Sequence, residues 1–487
     1  INQGNAAHLA ASGTIESDQG VWVTASNNFS LVSAAAAVAG GFVGVGAGVS
    51  YGSVRNNVGA LIGTGADVDA QGRVEVSALA NKVLKGYVIA GGAGAVGIGA
   101  AVNVFSIGSD FDSEYTDEDG NTMDASMIGT SDDNSTQESA IDDTSSGADS
   151  TAGQVDTRLS DLDTAGSGEP SGSADSRAAG QLSGATIGAS PFNLGSQLSY
   201  APQPEDGVTA VVESGVVINA GSDVAVTADE RIETDFITGS AAGGFVGVGA
   251  GVTILNVNSN VRARLGGATT APGNITVTAN GKRVSDIVSV GIQAGAVAVG
   301  AGIVVVNDNG TQLAEVSGGA SVDDAASLSV SASNVQDYEA ETYSIGAGAV
   351  AVGVNFTRMV LDDTSGGKNE TVARIGDTAQ IGQTETVGTV SVTATSNVTA
   401  VGETYAAVVG GAAVGLNFNF VEINPQVIAE IGDSAAIGAT GSVGVSANST
   451  MDADSTVIGI AAGVVAAGGT VARAEVSPDV SATIGTG

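Results

Sequence analysis

The side chains able to do chemistry in this chain are mostly oxygen ligands. Asp117, Asp119, Asn121 and Asp124 fall close together in the sequence, and clustered carboxylate and amide oxygens are the hard ligands that Ca²⁺ prefers. Their spacing is not that of an EF-hand loop, so a solvated acidic loop is the plainer reading and Ca²⁺ the one cofactor suggested. The doublets Asp323-Asp324 and Asp362-Asp363 offer calcium ligands or the carboxylate pair of a glycan-cleaving enzyme. Neighbours on a strand face opposite sides, however, so each doublet reads better as turn chemistry. Gly48-Val49-Ser50-Tyr51-Gly52 has the spelling of a nucleophile elbow, but its base would have to be His8, the single histidine. Gly92-Ala93-Gly94-Ala95-Val96-Gly97 has the spelling of a dinucleotide fingerprint without a strand-turn-helix unit around it. Arg262, Arg264 and Arg374 are the basic residues a β-helical lyase would need, yet they sit in a repeated element and read as structural. The expectation is a protein that is not an enzyme and requires no cofactor, with glycan cleavage as the most distant alternative.

Composition narrows the classes further. The 487 residues include 73 Gly, 52 acidic and 15 basic residues, for a net charge of -37. A surface so acidic repels nucleic acid and anionic lipid and attracts cations and basic partners. With 4% aromatic residues a single large core is hard to build, whereas stacked layers of small and β-branched residues remain available. The absence of cysteine excludes disulfide, iron–sulfur and thiolate zinc chemistry and is compatible with export. The chain opens at Ile1 without a signal-type segment, which reads as a mature or excised piece.

What must position any site is a repeat. A short apolar-x-Val-Ser/Thr-Ala strand opens at Val21, Val74, Val224, Ile275, Leu328, Val390 and Val443, with spacings of 53, 150, 51, 53, 62 and 53 residues. Each is followed by an alternating run such as Gly40 to Val49, in which Val43, Val45, Ala47 and Val49 share one face and Gly44, Gly46 and Gly48 the other. A third element, apolar-x-Ala-x-apolar-Gly, recurs at Val261 to Gly266, Val372 to Gly376, Ile428 to Gly432 and Ala482 to Gly485, with a degenerate copy at Ala7 to Leu9. The chain therefore opens and closes at the same phase, as an excerpt of a longer array or a segment whose ends meet further copies would. Asn28, Asn81, Asn280, Asn334, Asn397 and Asn448 follow the anchors and suggest a recurring turn with side-chain amide ladders. The fold expected is all-β: a parallel β-helix, or β-solenoid, of about 53-residue repeats. Stacking is expected to cover both the Val/Ala faces and the strand edges. Two or three coils per repeat would give a rod of roughly 70 to 110 Å at ~4.8 Å per layer.

The one long spacing places an insertion at residues 109–206, between solenoid segments at 1–108 and 207–487. The insertion holds 20 acidic residues against Arg158 and Arg177, and ligand contacts are expected there. Leu31 to Tyr51 and Gly86 to Ile107 are long enough to span a bilayer without a charge. Their period of two, their Gly and Ser content and the missing aromatic girdles argue against membrane insertion.

The Gly-Gly-x-x-Val-Gly-x-Gly-Ala-Val strands, the Val-x-Val-Thr-Ala anchors and Ala373-Arg374-Ile375-Gly376-Asp377 resemble the very large secreted exoproteins of Gram-negative bacteria, the filamentous-haemagglutinin-like and leukotoxin-type filamentous adhesins. This resemblance implies a β-helical shaft, export to the cell surface or beyond, and adhesion to host or partner-cell glycans or proteins. Self-association into a filament or sheath is the alternative, and the repeats here are longer than those common in that family.

Overall fold

A computed structural model describes residues 2–10, 12–108, 114–116, 122–124, 207–362 and 369–486. Two compact units partition the chain, Ile1–Gly108 with Phe192–Gly487 and Ser109–Pro191. The first is a parallel β-solenoid.

Seven long strand units, one per coil, follow each other through this solenoid in sequence order. Coil 1 contributes Val21–Gly40 and Val43–Ile62, and coils 2 to 7 contribute Val74–Gly108, Val224–Asn258, Asn274–Asp308, Ser327–Asp362, Thr389–Asn424 and Val443–Val476. Every neighbouring pair is parallel and in register: Val21 lies beside Val74, Val74 beside Val224, and Val277 beside Val330. One repeat thus makes one coil, which corrects the expected two or three. At ~4.8 Å per strand the seven coils rise only about 34 Å, so the solenoid gains its chain length sideways.

Part of each coil builds a three-walled prism. One wall is the opening of the long strand, another is a ladder of short strands such as Asp67–Ala70 and Val217–Ala220, and the third is the ladder running from Asn2–Leu9 to Asp479–Ile484. Alternate residues point inward, and Val74, Val76, Ala78, Val68, Ala70, Ala60 and Ile62 merge with their counterparts above and below into one dry core. The corner after the third wall needs a left-handed residue. Gly65, Gly215, Gly267 and Gly319 supply it in four coils, while Ser12, Thr378 and Ser434 occupy the same corner with φ of 57°, 59° and 56°. This is the recurring turn. The asparagines after the anchors lie within the long strands instead; Asn81 donates to Asn28 in the neighbouring coil at 3.0 Å, and further amide ladders join Asn307 to Asn256 and Asn355 to Asn417, away from the anchors.

Beyond the prism each long unit runs outward, folds back at a tip and returns, so that the seven coils together form a two-layered blade. The layers meet at Ser33 and Ser50, whose hydroxyls bond at 2.8 Å, and at the hydroxyl pairs Thr238–Thr253 and Thr342–Thr357 at 2.7 and 2.8 Å. The blade tapers. At its root the two layers hold Leu84, Phe105, Phe236, Leu255 and Met359, with Phe105 stacked on Phe236 at 4.5 Å between centroids. Toward the tip the inward positions are mostly Ala and Gly, with Val88, Gln293 and Val408 among them. A Cβ placed on Gly46 would overlap the Gly91 carbonyl oxygen and lie 2.8 Å from that of Ala37, so the two backbones are in direct contact.

This arrangement reverses one expectation. Stacking covers the strand edges, but the valines that alternate with these glycines face outward: Val43, Val45 and Val49 are 48%, 41% and 42% exposed. Once the chain doubles back, only the glycine faces are thin enough to meet backbone to backbone. The long 62-residue spacing also resolves into two small excursions. The register offset between coils 5 and 4 is 53 at Val360 and Asn307, while between the following wall strands it is 59 at Thr371 and Gln312. It reaches 62 at Thr389 and Ser327.

Candidate interaction surfaces

The blade presents two broad faces of different chemistry. On the outgoing layer, near the root, the register stacks Asp235, Asp286 and Glu339 in successive coils, with Glu341 beside Glu403 one step further out. Like charges one strand apart repel, and the titration of the ladder reflects it. Burial and then the Asp235 carboxylate raise Asp286. Glu339 is raised by burial and by Asp286, Glu341, Glu403 and Asp337. Tyrosines line the outer border of this ladder. Tyr87 donates to Asp235 at 2.9 Å, Tyr343 to Glu341 at 3.0 Å and Tyr405 to Glu403 at 2.9 Å. Tyr343 and Tyr405 stack at 5.3 Å, and burial with the Glu341 bond pushes Tyr343 up to about 12. Lys85 is the cation within reach of the ladder's first carboxylate, 3.4 Å from Asp235. Such a surface suits a basic or cationic partner.

The returning layer is apolar. Its outward positions read Val246, Val248, Ala250 and Val252 in coil 3 and Val297, Val299, Ala301 and Ile303 in coil 4, each partly exposed. Phe42 and Phe245 cap the tip at 79% and 70% exposure, and Val464 reaches 93%.

Between the prism and the blade lies a buried polar layer that sequence reasoning missed. Lys82 Nζ sits 2.6 Å from Glu230 Oε1, and both side chains are essentially inaccessible to solvent. Ser259 also donates to Glu230, at 2.7 Å. Burial acts to raise the Glu230 carboxyl, but Lys82, Arg283 and Ser259 outweigh it and hold the group below the usual range. Arg283, equally buried, faces Asp308 at 3.5 Å and donates to the Ser259 carbonyl at 2.9 Å. Asp308 in turn accepts from Tyr338 at 2.6 Å and Gln336 at 2.7 Å. Tyr338 is driven well above its ordinary range, by burial first and then by Asp308. Most polar atoms of these groups are paired with each other, although Glu230 Oε2 is buried without a hydrogen-bond partner, and the layer acts as a spacer where the two walls of the blade diverge. A signal was present: charged residues at inward parity, such as Lys82 and Glu230, within otherwise apolar alternation.

The residues singled out by chemistry do not converge. Ser50 lies inside the blade bonded to Ser33, whereas His8 pairs with Leu61 in the third wall and is lowered by burial. Gly92 and Gly97 pack at the blade tip in the same close contact as Gly46. Asp323 caps a small excursion: it accepts from Thr384 N at 2.9 Å and Ser321 Oγ at 2.9 Å. Burial raises Asp323, and these bonds more than reverse the effect. Its neighbour Asp324 holds a left-handed φ of 55°. Asp362 ends a strand, and Asp363 lies outside the described residues. Arg374 binds Glu315 at 2.8 Å, with Arg262 and Arg264 near the same carboxylate at 3.7 and 3.8 Å, a charge cluster on the wall's outer surface. Of the calcium candidates, Asp117, Asp119 and Asn121 lie outside the described residues. The fourth, Asp124, ends a short strand paired antiparallel with Glu114–Thr116. Among the described residues no group of three or more His, Cys, Asp or Glu side chains is placed to hold a metal ion. No helix among them is long and apolar enough to cross a membrane.

Comparison with protein-family models, curated proteins and solved structures returned no match.

Proposed function

We propose that this chain is a non-catalytic, secreted segment of a bacterial surface adhesin of the filamentous-haemagglutinin-like type, a solenoid shaft that mediates attachment to host or partner-cell glycans or proteins. The observation that supports this reading is the unbroken parallel register through all seven coils, which spends nearly the whole unit on a rigid scaffold with broad, repetitive outer faces. The acidic ladder on one blade face adds a spaced array of carboxylates, a geometry suited to many weak contacts acting together. Beads coated with the purified chain test it. Saturable binding to cells, competed by the soluble chain, is expected, while turnover of an acidic glycan with or without calcium would count against it.

A second reading, a self-assembling filament or sheath, draws on coil 7. Its strand Val443–Val476 is the outermost of the long ladder, and Ile460 and Val465 on it are 59% and 67% exposed. Fibre growth that depends on concentration would favour this reading over an isolated shaft.

A further inference from the structure

We propose that two copies of this chain pair face to face through the returning layers of their blades. Four outward rows of that layer, those of Val43, Val45, Ala47 and Val49 in coil 1, run in register across all seven coils. Of these 28 positions, 27 carry Val, Ile, Ala, Leu or Phe, and the exception is Gly469. Two residues of strand rise per row and one strand spacing per coil give a patch of about 26 by 34 Å, or roughly 900 Å². An exposed apolar patch of that size exceeds what a soluble chain ordinarily leaves uncovered, and it matches the ~800 Å² per partner of a standard stable interface.

Three features select a second copy as the occupant. Parallel strands with Val and Ala outward make a pleated apolar face, and two such faces can interlock at about 10 Å in aligned sheet packing. Charge favours this face over its opposite, because pairing through outgoing layers would set Asp235, Asp286 and Glu339 against their own copies. Pairing through returning layers keeps the two acidic ladders on the outside, a full blade away from each other. A lipid bilayer fits less well, because a chain of net charge -37 is repelled by anionic lipid surfaces. The pairing does not depend on what the chain attaches to.

Sedimentation equilibrium and spin labelling test it together. The wild type is expected at twice the 47.0 kDa chain mass, the double variant V299E/V352E at the chain mass with an unchanged strand spectrum, and I292E, on the outgoing layer, still at twice. Because the chain has no cysteine, a nitroxide on V252C reads the interface directly should the double variant fail to fold. Labels on V252C are expected to couple between protomers at shorter distance than labels on I292C. A wild type that stays at the chain mass at high concentration overturns the proposal. So does dissociation by I292E with V299E/V352E still paired, a larger assembly that V299E/V352E leaves intact, or a shorter inter-protomer distance for I292C. Flotation of the wild type with phosphatidylcholine vesicles, abolished by V299E/V352E, would instead assign the face to lipid.

Discussion

Replacing Gly97 by alanine tests the inverted architecture of the blade most directly. A Cβ at this position would overlap the carbonyl oxygen of Gly243 in the next coil and stand 2.5 Å from that of Gly92 in the opposing layer. Ordinary contact begins near 3.4 Å, so at least one backbone oxygen must retreat by about 0.9 Å, and neither belongs to a side chain that can rotate away. Overpacking of this kind costs about 1–3 kcal/mol. The gain from removing a flexible glycine from a strand, about 0.5–1 kcal/mol, offsets only part of it. Ala100→Val is the matched comparison. Ala100 is on the same strand but points outward and is partly exposed, so in the unpaired V299E/V352E background adding two methyl groups there should change stability by no more than about 0.5 kcal/mol. Urea unfolding of both variants measures the difference, and hydrogen exchange near the tip should rise for G97A alone. If A100V proved the more destabilising of the two, the valine face would be the packed one and the two-layer reading would be wrong.

Breaking the buried pair by Glu230→Gln should destabilise the solenoid by about 3–5 kcal/mol in urea, since it strands Lys82 in a dry layer, while K82M/E230M together should be near neutral; a loss under about 1 kcal/mol for E230Q would refute the buried-pair argument. Thr378→Gly should raise stability by about 1 kcal/mol, because a β-branched residue holds the left-handed corner at φ 59°, and a lower melting temperature would contradict that assignment. The melting temperature should peak in mildly acidic solution. Asp286 and Glu339 have raised folded-state values, so their repulsion is present at neutral pH and is relieved as pH falls through those values. Glu230 is lowered, so its stabilisation holds above its unfolded value and is lost as pH drops through the folded one. The variant D286N should flatten the upper limb of that profile and 1 M salt should do much the same, and a melting temperature that only fell on mild acidification would exclude the repulsive ladder.

Much of the fold was legible from residues alone. The anchors at Val21, Val74 and Val224 align because each layer must bury the same positions as the one below, so a sequence period is a spatial register. The acidic ladder could be found the same way, since Asp235, Asp286 and Glu339 are one coil apart. The charged layer was harder to see, because Lys82 and Glu230 are separated by 148 residues across the insertion and look like ordinary surface charges.

By itself the sequence determined strand and parallel stacking, because alternation and repetition are local or periodic properties. Only the tertiary structure decided that one repeat is one coil, that the long strand doubles back at its tip, and which side of the alternation is buried. Period two says that two faces differ and not which of them faces in. Glycine and alanine took the interior here because the returning layer lies so close that little beyond bare backbone fits, and the valines were left outside.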